Sequence, residues 1–471
     1  MRRPSFALFC ALGSVLVTPP PAFAQAAEAT PKPLTLEQVI AIATMNYPAI
    51  RAAQAHQRAA NEAVEVAKTA FLPRADILWQ IDRATANNVL GLTLPQSLLP
   101  SVTGSILPAD ATRSAWNSTG GALLSWQPFD FGARGAKVEV ARQGGEAAKQ
   151  ASMLTQLQVS ANAGSAFFDL AAAEQLVTVA QANVRRYESF DKVVHVLVDN
   201  TLRPGADASQ ADAQLALARN QLIQAQTQVA VKRAALSEYL QSKDGQAEVD
   251  ASALLAAQPA ADLAATSEAR HPFVLEEHAL TLQQEAQKRF LDRSYVPVFS
   301  ASGVVFGRGA GASTTGTFPG GSAGLAPDTL NWAAGAQVTF SAFDFFNLRD
   351  QRRVQQANVQ TEHARMDQAL SDVTTAVQQA QATLSGARKL AANTPVELTA
   401  AQASEQQQQA RYRSGLATVV DAAAAESVLA QAEGDDAIAR LGVWRAELGL
   451  AVAQGDLHPF LQLLESQAKG K

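Results

Sequence analysis

One transition, made twice, constrains this chain more than any other feature. Residues 125–143 read SWQPFDFGARGAKVEVARQ and residues 338–358 read VTFSAFDFFNLRDQRRVQQAN. In each, Phe-Asp-Phe stands between a segment of alternating polarity and a long polar pattern of helical period. A period of two places successive side chains on opposite faces of a strand, whereas a period of 3.6 draws one stripe along a helix. The chain therefore carries two strand-to-helix junctions, Phe129, Asp130 and Gly132 in the first and Phe343 and Asp344 in the second.

The alternation is clearest before the first junction. One face reads Trp116, Ser118, Gly120, Ala122, Leu124 and Trp126, and the other Asn117, Thr119, Gly121, Leu123, Ser125 and Gln127. At about 3.3 Å per residue the two tryptophans stand roughly 33 Å apart, near the height of a tilted membrane strand flanked by aromatic girdles. Trp79, with Ala75, Ile77 and Ile81, alternates with Asp76, Leu78, Gln80 and Asp82; Trp332 leads a third such segment and Phe299 a weaker fourth. The spacing predicts strands over about 73–84, 115–127, 297–308 and 331–342, with Trp79, Trp116, Trp126 and Trp332 as a girdle. Loops rich in Gly, Pro, Ser, Thr and Asn separate the members of each pair, about Thr85–Arg113 and Gly309–Asp328. Soluble hairpins with wet outer faces fit the alternation too.

Helical patterning follows each junction. No proline interrupts residues 133–200, and at 1.5 Å per residue such a helix is roughly 100 Å long. Val159, Ala163, Ala166, Leu170, Ala173, Val177, Ala180 and Val184 follow the 4-3 spacing of a coiled-coil seam. Leu215, Leu222, Val229 and Leu236 repeat at sevens on the next helix, with Ala211, Ala218 and Ala225 between. Helices are expected over about 34–70, 133–200, 208–241, 346–412 and 418–453. The sequence Leu202-Arg203-Pro204-Gly205 breaks the first long pair and Gly415, taken as the counterpart of Gly205, breaks the second. Asp130 and Asp344, 214 positions apart, thus belong to two tandem repeats, residues 25–243 and 268–454, joined by an Ala-rich linker at 244–267 and followed by a tail at 455–471.

The first residues predict an export signal over 1–24: Arg2 and Arg3, an apolar run from Phe6 to Val17, three prolines, then Ala22-Phe23-Ala24 with cleavage after Ala24. A buried N-terminal helix is the alternative, and Pro19-Pro20-Pro21 would end it. Cys10 is the only cysteine and lies inside that segment, too far from the cleavage point for a lipid anchor, so the exported chain has no thiol chemistry. No run of 18 apolar residues follows, which leaves β-strands as the route across a membrane. The net charge of −5, or −7 without Arg2 and Arg3, gives no case for nucleic acid.

The ordered segments LTLEQVIAIATMNYPAIRAAQA, AFLPRADILW, QPFDFGARGAKVEVA, RPGADASQADAQLALARNQL and RYRSGLATVVDAAAAESVLAQAE, spread over the whole exported chain, resemble the TolC family of outer-membrane efflux proteins. The resemblance implies a mixed membrane β-barrel and long α-helical barrel. Three copies would each give four strands to one twelve-stranded barrel in outer-membrane lipid, above a periplasmic tunnel. Oligomerisation follows from the residues alone, because four strands cannot close and bacterial barrels have at least about eight; three rather than two copies follow only from the resemblance. The family also implies an adaptor protein docking at the helical turns, here Leu202, Arg203, Pro204, Gly205 and Ala206 in one and Arg413, Ser414, Gly415, Leu416 and Ala417 in the other. An inner-membrane pump of RND or ABC type would supply the energy.

Glycine at each turn is expected to take a left-handed backbone, although any helical hairpin needs such a breaker. Asp421 matches a position where some family members carry an entrance aspartate. Ala424 lacks a second, and Ala211 beside Asp212 is read as the first-repeat counterpart. Asp421 is thus either a cation-attracting constriction residue or a solvated carboxylate. Asp130 and Asp344 are expected to cap helix starts rather than act in transport. The six histidines form no HExxH, and neither a phosphate-binding Gly-rich loop nor GxSxG occurs, so no enzyme activity, metal or cofactor is expected. The leading reading is a passive outer-membrane exit duct of a tripartite efflux or type I secretion system. A soluble periplasmic adaptor or scaffold is the competing one.

Overall fold

The structure is a computed structural model that describes residues 33–85, 113–242, 245–259, 263–264, 266–313 and 317–469. The predicted signal, most of the first loop and parts of the linker lie outside the described residues. Helix α1 (Leu36–Asn46) opens on a capping box in which Gln38 N–H donates to Thr35 Oγ1 and Thr35 N–H to Gln38 Oε1. The expected single helix over 34–70 is in fact two. Pro48 disfavours a helical Tyr47, which is extended, and α2 (Pro48–Thr69) starts afresh.

Four antiparallel strands follow the alternating segments: β1 (Arg74–Thr85), β2 (Ser114–Phe129), β3 (Val298–Ala310) and β4 (Thr329–Thr339), adjacent in that order. Their register aligns Ile77 with Ala122, Val305 and Trp332 in one rung, and Gln80 with Thr119, Arg308 and Thr329 in a rung of the other face. One face of the sheet is therefore apolar across all four strands, and Ile77 and Trp332 on it are 91 % and 77 % exposed. Trp116 and Trp126 stand at opposite ends of β2, whereas Trp79, opposite Gly120, and Trp332 occupy rungs between them. The Trp79 ring lies so close over Gly120 that a Cβ there would come within 2.4 Å of it, an aromatic covering a strand glycine.

Pro128 does not end β2, as a missing N–H suggests. It sits in an irregularity between Trp126 and Phe129, where the ladder shifts register and needs no donor. Phe131 and Gly132 then take positive φ (50° and 85°), turning the chain into α3 (Ala133–Asp199). The Asp130 carboxylate accepts from the N–H groups of Gly132 (3.1 Å) and Arg134 (2.6 Å) and from the Arg134 side chain (2.8 Å). Partial burial works against its ionisation, but these hydrogen bonds prevail and hold its pKa below the usual carboxylate value. Asp130→Ala is expected to cost about 1–2 kcal/mol, read as a lower midpoint of thermal unfolding by circular dichroism. At the second junction Asp344 is the first residue of α7 (Asp344–Arg413) and its side chain caps nothing.

The 67-residue α3 and 70-residue α7 are the long axes of the molecule. Shorter helices lie along them in tandem: α2 and then α4 (Gly205–Leu240) on α3, and α6 (Pro272–Asp292) and then α8 (Val419–Ala453) on α7. Helix α3 also packs on α6 and α8, so the two repeats lie side by side. The largest core sits midway, where Phe167, Phe168 and Leu170 meet Leu36, Val39, Trp444 and Phe460. Part of the linker is built into this core: Leu34 bridges to Val249, and the Trp444 indole donates to the carbonyls of Leu254, in the short helix α5 (Ser252–Ala256), and Ala257. The tail carries a final helix, α9 (His458–Lys469), whose Phe460 is fully buried there.

Candidate functional site: the paired helical tips

The far ends of the two helical hairpins lie together. Both turns close in the same way, with a left-handed residue and a hydrogen bond reaching back five positions: Leu202 N–H to Leu197 O (2.9 Å) and Leu416 N–H to Arg411 O (2.8 Å). The left-handed residue is Gly415 (φ 78°) in the second tip, as expected, but Thr201 (φ 57°) in the first. Gly205 is simply the first residue of α4. Thr201 and Gly415 are 214 positions apart, the offset of Asp130 and Asp344, so they are the true counterparts. This register also corrects the partner of Asp421: it is Asp207, in the first turn of α4, not Ala211.

The tips are fastened to each other by Arg203. Its guanidinium donates to the carbonyl of Tyr412 (2.9 Å) and, at longer range, of Ala417 (3.4 Å), and stacks 4.8 Å above the Tyr412 ring. Tyr412, 1 % exposed, packs against Phe190 with ring centroids 5.1 Å apart, in a small core with Val194, Ala211, Val419 and Ala422. Leu202 and Leu416 point outward, 69 % and 71 % exposed, amid exposed Pro204, Gly205, Ala206, Arg413 and Ser414. The Ser414 hydroxyl turns back to the carbonyls of Ala410 and Arg411. Asp421 completes a capping box: Thr418 N–H and Oγ–H donate to Oδ2 (2.8 and 2.7 Å), while Asp421 N–H donates to Thr418 Oγ1. Those bonds, from the Thr418 backbone first, lower its pKa and keep it charged at the exposed start of α8.

About two turns further in lies a buried charge network with no local signal in the sequence. Glu426, 1 % exposed, forms an ion pair with Arg186 on α3 (3.0 Å) and accepts from Gln409 on α7 (2.8 Å). Arg186 also makes a two-pronged bond to Glu433 (3.0 and 2.9 Å). Burial, and then the neighbouring Glu405 carboxyl, push the Glu426 pKa up to about 7. In sequence Glu426 reads as one solvated carboxylate in an alanine run; only the crossing of α3, α7 and α8 encloses it.

Comparison with known proteins places this architecture. No curated protein matches the sequence. Among solved structures, the Campylobacter jejuni CmeC outer membrane channel is 14 % identical with a TM-score of 0.73, over 92 % of this chain and 89 % of that one. VceC, an outer membrane protein of Vibrio cholerae, is 17 % identical with a TM-score of 0.72, over 89 % and 96 %. The open state of the Neisseria gonorrhoeae MtrE outer membrane channel is 19 % identical with a TM-score of 0.67, over 89 % of each. These likenesses show the fold. A family match in sequence covers residues 39–241 and 268–456, one segment per repeat. The chain belongs to the outer membrane efflux protein family and is the outer-membrane channel component of an efflux system.

Proposed function

We propose that the chain works as a homotrimeric, passive exit duct whose three four-stranded sheets close one twelve-stranded barrel in the outer membrane. The observation that carries this is the sheet register, which gives one apolar face across all four strands while leaving β1 and β4 as open edges. An open edge in lipid strands its N–H and C=O groups, at several kcal/mol each, so β4 of one copy pairs with β1 of the next. The exported chain has no cysteine of its own. One cysteine placed in β1 and one in β4 is therefore expected to yield oxidative cross-links that stop at three copies in the outer-membrane fraction. Cross-links that stop at two, or a chain recovered from soluble periplasm, would overturn the reading, the latter in favour of a scaffold.

In this duct the tip residues, Leu202 to Ala206 and Arg413 to Ala417, dock a periplasmic adaptor, and an inner-membrane pump of RND or ABC type, in a tripartite efflux or type I secretion system, drives transport. The protein performs no chemistry. Asp207 and Asp421, three copies of each, give the entrance a cation preference. Asp207→Asn with Asp421→Asn removes charge while Asn keeps hydrogen-bonding capacity. The double variant is expected to lower the cation-to-anion permeability ratio by about threefold or more, an electrostatic effect of under 1 kcal/mol. Unchanged reversal potentials in planar bilayers count against it.

A further inference from the structure

A ladder of ion pairs joins α3 to α4, and its rung nearest the tip is anomalous. Glu188 pairs with Arg219 (3.0 Å), Glu174 with Arg233 (3.4 Å) and Asp169 with Lys232 (2.9 Å), so at each of these α3 supplies the carboxylate and α4 the cation. Where the next cation from α4 would stand, the chain has Asp212, opposite Asp191 of α3. Only the His195 imidazole lies between, its Nε2 3.3 Å from Asp212 Oδ1 and 3.7 Å from Asp191 Oδ1. Among the described residues no Lys or Arg is in ion-pair contact with either aspartate. Asp191 Oδ1 is moreover shut off from solvent without a hydrogen bond.

We propose that Asp191, His195 and Asp212 bind one divalent first-row transition-metal ion, of which zinc is the type, tying α3 to α4 within about two turns of the tip. The three ligand atoms lie within 4.8 Å of one another. The two distances from Nε2 bracket the roughly 3.4 Å between ligand atoms of a tetrahedral ion with bonds of about 2.1 Å. Asp191 and His195 stand four apart on one helical face and Asp212 meets them from α4, so the site uses the packing already in place. One imidazole and two carboxylates are borderline-to-hard donors that suit Zn²⁺, Co²⁺ or Ni²⁺ and leave at least one position to water. The ion brings this rung the fixed positive charge that Lys or Arg gives its neighbours, and gives the shielded Asp191 oxygen a partner.

The test is titration of the untagged, chelator-treated protein in detergent with Zn²⁺ by calorimetry and with Cu²⁺ by electron paramagnetic resonance. One ion per chain is expected, with hyperfine structure from a single imidazole nitrogen. His195→Ala and Asp212→Asn, at half-exposed and exposed positions, are each expected to weaken binding by at least about tenfold. His363→Ala, at a histidine elsewhere, leaves it unchanged. Absence of stoichiometric binding, or binding equally tight in His195→Ala and Asp212→Asn, overturns the site and leaves the trio as an ion-paired histidine.

Discussion

Arg203→Ala is expected to separate the two tips and raise single-channel conductance several-fold in planar bilayers. The side chain joins the repeats through two carbonyls near the end of α7 and the face of Tyr412. A hydrogen bond from a charged donor contributes about 1.5–3 kcal/mol and a guanidinium over an aromatic ring about 0.5–1. Losing about 2 kcal/mol shifts an equilibrium between joined and parted tips by roughly thirtyfold. Arg203→Lys should fall between, because an ammonium retains charge but lacks the planar fork that both stacks and donates. Conductance equal to the unmodified protein in Arg203→Ala would mean that the tips are held by Phe190 and Tyr412 packing alone.

The second large effect is a pH dependence of the helical hairpins. The folded-state pKa of Glu426, about 7, lies above its ordinary value of 4.5, so between those limits the folded chain binds more protons than the unfolded one. Its contribution is therefore fully present below about pH 4.5 and is lost as pH rises through 7. The groups facing it set this window: Glu405 and Gln409 on α7, Arg186 on α3 and Glu433 on its own helix. The shift corresponds to at most about 3 kcal/mol per chain. Glu426→Gln mimics the protonated acid and should raise the thermal midpoint at pH 8 while leaving that at pH 5 nearly unchanged. A variant as pH-sensitive as the unmodified protein would place the dependence elsewhere.

What the sequence made legible follows from periodicity. Alternation located β1 to β4 because one face is mostly apolar, and proline-free 4-3 seams located α3 and α4 because long helices repeat the same contact many times. Single-residue features were harder. Pro204-Gly205 dominates the eye at the first tip, yet the left-handed position is Thr201; a strict 214-residue alignment would have paired it with Gly415, and Asp207 with Asp421. Pro48 carried a readable stop signal for α1 that a smooth helical pattern obscured. The Arg186–Glu426 network and the Asp191–His195–Asp212 trio depend on which helix faces cross, and no local spacing encodes that.

The midway core has a mechanical consequence. Phe167 and Phe168 lie near the centre of α3, and 32 residues separate Phe167 from Asp199 at its tip end, a span of roughly 48 Å. With the helix held at that centre by Trp444 and the built-in linker, it acts as a lever whose fulcrum is far from its load. A pivot of only about 5° would carry the tip about 4 Å, the width of a side chain. An opening of the end would then require little repacking at the fulcrum, and the Arg203 fastening would bear on the far end of the arm, where a small force opposes a large torque.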